Sequence, residues 1–296
     1  MSFIDAVSTA IVFLFASQNP ATAPIPIGTG FIVGYPVKIN SDQQTTESVP
    51  FIVTAKHVLG GFHKVYARFN TDKGQTQLVE YDLDQIKKNG DFFENVDPGV
   101  DIAVFRTQNF LATKFEVIPL DLIASKKDFV TEEIKQTDRV IFPGLLVNFL
   151  GNTQNYPIMK DGSIALIPNE KAPISYYVGM EKIDSQQELI FLNTISIPGL
   201  SGSPVFLYPV TRLKHDSLSL GGGKFILLGI MHGFYPALPR EVQEVKTTNS
   251  KFVYGDNSGI AITFPSWRLL EIFESDPLKE RVKKLTASEV HLIHEP

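Results

Sequence analysis

Two separated segments carry side chains that could act together as a general base and its orienting acid. Residues 54–58 (TAKHV), which contain His57, directly follow the apolar run 51–53. A histidine at the end of a buried strand is held rigidly, as a general base must be. In residues 101–105 (DIAVF), an acid precedes an apolar run. Asp101 could accept the Nδ1–H of His57, which would fix the tautomer and stabilise the imidazolium.

A third segment, residues 198–205 (PGLSGSPV), carries a candidate nucleophile. Ser201 stands on a glycine-rich turn ahead of a strand. Gly199 lets the backbone turn so that its N–H and that of Ser201 point at one place and form an oxyanion hole. His57, Asp101 and Ser201 follow one another in the chain 44 and 100 residues apart. This order is one of the convergent arrangements of the Ser-His-Asp triad.

Composition restricts the other classes of function. The chain has 296 residues, 43% of them hydrophobic, and a formal net charge of -5. Its acidic balance argues against nucleic-acid binding, which usually needs a basic face. It contains no cysteine, so disulfides and a cysteine nucleophile are excluded and a cytoplasmic, reducing location is favoured. The remaining histidines have no metal-ligand spacing, and we expect neither a metal nor a cofactor.

The N-terminal segment has the apolar composition of a signal peptide but not its charge pattern. Residues 6–17 are apolar, but residues 1–5 contain an acid and no Lys or Arg, which is wrong for a signal peptide. The run 11–15 is β-branched and aromatic, as a buried strand would be. We therefore predict a first strand here, with export through an atypical signal peptide as the alternative. The run is too short to span a membrane, and no later segment qualifies.

Short β-type runs separated by Gly, Pro, Asn and Asp dominate the rest of the sequence. This pattern predicts an all-β sandwich or barrel rather than βαβ units. Helical periodicity appears only late, at residues 267–273 and 278–285. Segments with the composition of exposed loops are residues 40–47, 148–156, 211–223 and 241–249.

The three segments resemble the motifs of trypsin-like serine peptidases. TAKHV resembles their TAxHV histidine motif, DIAVF their DIAL-type aspartate motif, and PGLSGSPV their GDSGGP or PGNSGGP serine motif. Flanking strands resemble those of the bacterial HtrA-like protease domain, for example residues 28–33 (GTGFIV) and 257–262 (NSGIAI). The resemblance runs in order over roughly residues 10–275. No PDZ-like region follows it.

The resemblance implies two antiparallel β-barrels of chymotrypsin type and a C-terminal helix. Residues 1–118 would form the barrel that carries His57 and Asp101. Residues 119–265 would form the barrel that supplies Ser201 and the oxyanion hole, and residues 266–296 the helix and tail. By the same resemblance, Ile195, Ile197, His232 and Gly233 would bind substrate, although His232 lies one residue beyond the histidine with which 3C-like and glutamyl peptidases recognise Gln or Glu. A structural hydrogen-bonding role for His232 is the alternative.

The sequence departs from the family pattern at three positions. Leu200 stands where digestive members have an Asp that pairs with the freed N-terminus, so we expect no zymogen switch. Ser203 replaces a glycine beside the nucleophile, and Lys56 precedes the histidine where smaller residues are usual. No acid stands at the base of the specificity pocket, so we predict no preference for Lys or Arg.

The sequence therefore predicts a serine endopeptidase that cleaves a protein or peptide substrate through an acyl-enzyme. A partner, oligomerisation or loop ordering would gate it, because neither a signal nor a zymogen pair restrains it. A protease-like fold used for binding or scaffolding is the alternative. Esterase activity on a small acyl substrate would use the same side chains.

Overall fold

Two β-sheet units account for most of the secondary structure. The computed structural model describes residues 2–17, 22–39, 46–107, 113–209, 211–214, 217–220, 224–236 and 257–292. The predicted loop at 241–249 and most of the one at 40–47 lie outside these ranges. The all-β class with a C-terminal helix is confirmed.

The N-terminal unit is a nine-stranded sheet in the form of a half-barrel. Its strands are β1 (Ile11–Ala16), β2 (Ile25–Ile39), β3 (Thr46–Thr54), β4 (Lys64–Thr71), β5 (Thr76–Asp82), β6 (Phe92–Glu94), β7 (Ala103–Arg106), β8 (Thr113–Lys114) and β9 (Ile118–Pro119). The main path is β5-β4-β1-β2-β3-β7-β6, with β8 on β4 and β9 on β2. Every residue of β1 is buried, as its β-branched and aromatic composition predicts.

The C-terminal unit is a closed six-stranded barrel in the order β10-β11-β14-β19-β18-β15. Its strands are β10 (Arg139–Gly144), β11 (Ile158–Leu166), β14 (Ile190–Asn193), β15 (Pro204–Leu207), β18 (Ile226–Pro236) and β19 (Asn257–Pro265). Two hairpins extend from it, β12 (Ala172–Val178) with β13 (Glu181–Gln187) and β16 (Thr211–Lys214) with β17 (Ser217–Leu220). The second hairpin lies within 211–223, where the sequence analysis predicted only a loop.

Helices are few and mostly short. They are α1 (Phe3–Thr9), α2 (Lys56–Leu59), α3 (Leu83–Lys88), α4 (Lys126–Thr131), α5 (Ser266–Phe273), α6 (Asp276–Leu292) and a 3₁₀ turn at Leu120–Leu122. The last two α-helices are the ones that the periodicity predicted, and α5 buries Leu269, Ile272 and Phe273. None of the helices described is long and apolar enough to cross a bilayer.

The predicted domain limits fall at identifiable points of the chain. The limit at 118/119 lies within β9, which pairs in parallel with β2 of the N-terminal sheet. The limit at 265/266 separates β19 from α5. Buried residues of both units belong to one continuous apolar cluster that includes Phe51 and Phe264. The division into domains stays a prediction.

Candidate active site

Strand pairing brings His57 and Asp101 together. β3 pairs antiparallel with β7, and Thr54 lies opposite Ala103. The end of β3 and the start of β7 therefore meet at one edge of the sheet. His57 lies just beyond the former, in the first turn of α2, and Asp101 just before the latter. Two segments that are 44 residues apart in the chain thus place a base and an acid side by side.

The carboxylate of Asp101 accepts three hydrogen bonds, and its side chain has no exposure to solvent. Oδ1 accepts from the backbone N–H of His57 at 2.8 Å. Oδ2 lies 2.6 Å from Nδ1 of His57 and 2.5 Å from Nδ1 of His232. A buried carboxylate is stable only when it is well paired, and these three donors supply that pairing.

The electrostatics of the pair follow from this geometry. Burial works to raise the pKa of Asp101, but attraction from His57 and His232 and the hydrogen bonds from both outweigh it and hold the pKa well below its usual range. For His57, burial works to lower the pKa, while attraction and the hydrogen bond from Asp101 raise it above its ordinary value. Asp101 is thus an anion, and His57 gains basicity from it.

Ser201 stands on a tight turn whose shape depends on two glycines. Gly199 has a φ of 99° and Gly202 a φ of 87°, a region that side chains other than glycine rarely adopt. A Cβ at Gly202 would lie 2.0 Å from the carbonyl oxygen of Thr29. Among the described residues, neither the N–H of Gly199 nor that of Ser201 has a hydrogen-bond acceptor. Two backbone donors are therefore free beside the hydroxyl.

Thr29 of β2 holds this turn against the N-terminal sheet. Its N–H donates to the carbonyl of Ser201 at 2.9 Å, and its hydroxyl donates to the carbonyl of Gly199 at 2.6 Å. The same hydroxyl accepts from the N–H of Leu145 at 2.9 Å. Thr29 is fully buried. The sequence analysis did not identify this residue, because a threonine in the middle of a strand has no signature of such a role.

The hydroxyl of Ser201 donates to the backbone carbonyl of His232 at 2.8 Å. β15 pairs with β18, and the pairing continues beyond β15, because the N–H of Gly202 donates to the carbonyl of Met231 at 2.8 Å. This pairing holds the next carbonyl of β18, that of His232, beside Ser201. In the described residues Ser201 makes no hydrogen bond to His57. A catalytic hydrogen bond is often absent before substrate binds.

His232 was predicted to bind substrate, with a structural hydrogen-bonding role as the alternative, and its imidazole is directed toward Asp101. Its Nδ1 bonds Asp101, its ring lies 5.0 Å from that of His57, and 10% of its side chain is exposed. The atoms of His57, Asp101 and His232 that could bind a metal all lie within 4.8 Å of one another. No sequence spacing signals this cluster, because His232 comes 131 residues after Asp101.

The hairpin β12–β13 covers one side of the cluster. The ring of Tyr176 packs edge-on 6.4 Å from His57 and 5.1 Å from His232. Its hydroxyl donates to the carbonyl of Gly99 at 3.2 Å. Burial, together with the negative charge of Asp101, raises the pKa of Tyr176 far above its ordinary value, so it stays a neutral phenol. The sequence analysis did not predict the hairpin.

A cavity of about 660 Å³ opens between this hairpin and β18. Ile174, Ser185, His232, Phe234 and Tyr235 are among its lining residues. The other predicted substrate-binding residues do not line it. The side chain of Ile195 is exposed, Ile197 packs against the barrel core, and Gly233 lies in β18 opposite Ile262.

The three departures from the family pattern each have a clear position. Leu200 is fully buried in the barrel core, so no charged pair can form there. Ser203 is also fully buried, and among the described residues its hydroxyl has no hydrogen-bond partner and therefore no adjacent base. The ammonium group of Lys56 donates to the carbonyl of Pro98 at 2.7 Å.

Two further sequence assignments concern turns and histidines. Asp97, another acid close to Asp101 in the chain, is a turn residue, because its Oδ1 accepts from the N–H of Gly99 at 2.9 Å. His63, which had no recognisable partner in sequence, forms a surface pair with Asp84 at 2.7 Å. His215 and His294 lie outside the described residues.

No protein-family profile and no curated protein matches this sequence. Solved structures do match. The active form of the Rv3671c protease from M. tuberculosis aligns with 13% identity over 91% of this chain and 82% of its own, with a TM-score of 0.47. Its inactive Ser343Ala form gives 12% over 91% and 88%, with a TM-score of 0.46.

The HtrA-type protease AlgW, solved with a decapeptide, is a third similar structure. It aligns with 13% identity over 92% of this chain and 65% of its own, with a TM-score of 0.48. The identities are 12–13% and the TM-scores are below 0.5, so these structures do not establish the activity of this chain.

Proposed function

We propose that this protein is a serine endopeptidase that cleaves peptide bonds through an acyl-enzyme. Ser201 is the nucleophile, His57 the general base and Asp101 the residue that orients it. The observation that carries this proposal is the fully buried Asp101 carboxylate, which holds both the backbone and the ring of His57, at 2.8 and 2.6 Å. Holding both groups fixes the direction of the imidazole, as the base of a triad requires.

In the proposed reaction the proton moves between defined atoms. Nδ1–H of His57 donates to Asp101, so Nε2 carries the lone pair. The Ser201 hydroxyl rotates away from the His232 carbonyl, gives its proton to Nε2 and attacks the substrate carbonyl. Nε2–H then protonates the leaving amine as the C–N bond breaks. Water, deprotonated by the same nitrogen, hydrolyses the acyl-enzyme and restores the Ser201 hydroxyl.

The N–H groups of Gly199 and Ser201 form the proposed oxyanion hole. Both lie on the turn that Thr29 holds, and neither has an acceptor among the described residues. Donors that are already oriented stabilise the negative charge of the tetrahedral intermediate without reorganising. Gly199 permits the required backbone conformation, with its φ of 99°.

The proposed substrate is a protein or peptide. The cavity between β12–β13 and β18 is lined by apolar side chains, by polar side chains such as Ser185, and by His232. Because the imidazole of His232 contacts Asp101, the cavity adjoins the triad. We keep Ile195, Ile197, His232 and Gly233 as proposed substrate contacts. The hydrogen bonds Thr194 N–H to Gly259 and Asn257 side chain to Ser196 place the segment around Ile195 beside the start of β19.

A catalytically weak binding or scaffold protein is the second candidate. One observation favours it: the Ser201 hydroxyl bonds to the carbonyl of His232 and not to His57. In this case the cavity would hold a peptide without cleaving it. An esterase acting on a small acyl substrate would use the same side chains as the peptidase.

We also propose that activity is gated by a regulatory partner or by ordering of loops, and that the protein acts in the cytoplasm. The hairpin β12–β13 packs on both histidines through Tyr176, so its position bears directly on the catalytic base. The absence of cysteine is compatible with a reducing compartment. Constitutive cleavage of unrelated proteins by the isolated chain would contradict the gating.

Labelling with a fluorophosphonate probe tests the nucleophile. We expect the wild-type chain and Ser203→Ala to be labelled, and Ser201→Ala to be unlabelled. Ser203→Ala is the matched control, because it removes the other hydroxyl of the same turn from a buried position. Labelling that persists in Ser201→Ala would refute the assignment. Digestion of a peptide library by wild type and Ser201→Ala then separates a peptidase from an esterase or a scaffold.

A further inference from the structure

Two imidazoles converge on one buried carboxylate oxygen at the candidate active site. Asp101 Oδ2 lies 2.6 Å from Nδ1 of His57 and 2.5 Å from Nδ1 of His232. Asp101 is fully shielded, whereas 24% of the His57 side chain and 10% of the His232 side chain are exposed. The triad reaction needs only one of these imidazoles, so the second histidine is left without a role in the chemistry proposed above.

Two imidazoles and a carboxylate form a donor set suited to a borderline divalent metal. Zinc takes imidazole nitrogen and carboxylate oxygen together, and catalytic zinc sites of two histidines and one acid leave a fourth position open. The three donor atoms already lie within 4.8 Å of one another. Around a tetrahedral zinc ion, neighbouring donors lie about 3.3 Å apart, so the two contacts to Asp101 would lengthen by under about 1 Å.

We propose that His57, Asp101 and His232 form a zinc-binding site, and that zinc inhibits the enzyme reversibly. The inhibitory part rests on the proposed peptidase function; the binding part does not. The metal replaces the two hydrogen atoms that His57 and His232 direct at Asp101. The carboxylate charge offsets half of the charge of the ion in a site largely closed to water.

Inhibition follows from the tautomer of His57. A neutral imidazole that binds metal through Nδ1 carries its proton on Nε2. The proton is transferred through solvent from one ring nitrogen to the other, so no proton is gained or lost. Nε2–H has no lone pair for the Ser201 proton, and His57 ceases to be a base. Removal of the metal by a chelator restores the Nδ1–H tautomer and the catalytic base.

The residues around His232 restrict its orientation, and a neighbouring cavity gives a metal ion access to the cluster. The rings of Tyr176 and Phe264 lie 5.1 and 5.7 Å from that of His232 and restrict its orientation. The cavity lined by His232 reaches the cluster from the side of β18, which gives an ion a route from solvent.

Isothermal titration of the metal-free full-length chain with zinc chloride tests the site. We expect binding by the wild type and by Ser201→Ala, because Ser201 is not a ligand. His232→Phe and His57→Phe should each weaken binding by at least about tenfold, since even outer partners of a metal site cost that much when removed. His63→Phe is the matched control, because His63 belongs to a surface His–Asp pair with a 2.7 Å contact.

Cobalt(II) absorption and histidine NMR keep the test independent of how the variants fold. We expect cobalt bound to the wild-type chain to show the intense visible bands of a tetrahedral site. Zinc should move the proton of both histidines that contact Asp101, His57 and His232, from Nδ1 to Nε2. Equal zinc affinity in wild type and folded His232→Phe, or an unchanged tautomer at saturating zinc, would overturn the proposal.

The experiment also separates the two proposals. Zinc binding that depends on His232, without fluorophosphonate labelling, would support the metal site and contradict the peptidase function. Labelling at Ser201 without zinc binding would support the peptidase function and contradict the metal site. Labelling that zinc blocks and a chelator restores would support both.

Discussion

The pairs His57–Asp101 and His63–Asp84 have almost equal contact distances but lie in very different surroundings. His57 and Asp101 approach to 2.6 Å, and His63 and Asp84 to 2.7 Å. In the first pair, 24% of the histidine side chain and none of the acid are exposed. In the second, the exposed fractions are 86% and 67%. Contact distance alone therefore does not distinguish a candidate catalytic pair from a surface ion pair.

The difference lies in what else holds the carboxylate. Asp101 accepts from the backbone of His57 and from two imidazoles, so neither its position nor that of His57 can drift. Asp84 lies in the first turn of α3 with water around it. Solvent and salt screen such a pair, and its net contribution to stability is small. Burial and the additional hydrogen bonds fix the orientation of the imidazole in the first pair, although both pairs consist of the same two residue types.

Neutralising the acid of each pair should give the largest contrast. Asp101→Asn keeps the shape of the side chain, but it favours the wrong tautomer of His57 and leaves an imidazolium without its counterion. We expect kcat to fall by about 10⁴-fold, as in other triads. Asp84→Asn should leave kcat unchanged. Steady-state kinetics on a peptide identified in the library digest measures both.

An equal response of the two variants would remove the distinction between the pairs. A small loss in Asp101→Asn, of under about tenfold, would show that the carboxylate does not orient the base. A thermal melt of each variant checks that the chain is folded, because a buried carboxylate with three hydrogen bonds also contributes to stability.

The sequence could predict the first pair but not what encloses it. TAKHV and DIAVF each place a polar residue at the edge of an apolar run, and the pairing of β3 with β7 then follows from that pattern. The turn around Ser201 was predictable because the sequence places glycines at 199 and 202, and in the structure both positions have a positive φ. Each of these signals lies within a few neighbouring residues, so it can be recognised in a single sequence.

The enclosing contacts are not local. His232 reaches Asp101 across 131 residues, and Thr29 reaches Gly199 across 170. Tyr176 lies on a hairpin whose alternating exposed and buried residues resemble any half-buried strand. Such contacts depend on how the barrel closes and on how the two sheets pack. For this reason Asp101 could not be predicted as the hydrogen-bond partner of His232, although a structural hydrogen-bonding role was the alternative to substrate binding.

Opening the first pair to water would make it resemble the second. Tyr176→Ala removes the ring that packs on His57 and His232. Because Tyr176 is only 7% exposed, we expect a loss of about 3 kcal/mol in the free energy of unfolding. We also expect a fall of about 10- to 100-fold in kcat/KM, because the base is no longer held. Denaturant unfolding and kinetics measure the two effects.

Tyr177→Ala is the control for this change. Tyr177 is the next residue of the same strand, and 60% of it is exposed on the other face of the hairpin. We expect neither stability nor kcat/KM to change measurably. Tyr176→Phe keeps the ring and removes only the hydrogen bond to Gly99, so it should retain most of the activity. If Tyr177→Ala were as damaging as Tyr176→Ala, the hairpin as a whole would matter and the ring contact would not.

The smallest expected effect concerns the residue that holds the serine turn beside the first pair. Thr29→Val keeps the shape of the side chain but leaves the Gly199 carbonyl without its donor and the Leu145 N–H without its acceptor. Unpaired buried groups of this kind cost about 1–3 kcal/mol, which a denaturant titration detects. Thr29→Ser keeps the hydroxyl and should recover most of that loss. The turn carries the N–H groups that would bind the oxyanion, so kcat should fall in Thr29→Val while KM changes less. A loss of stability with kcat unchanged would mean that Thr29 only joins the two sheets and does not position the oxyanion hole.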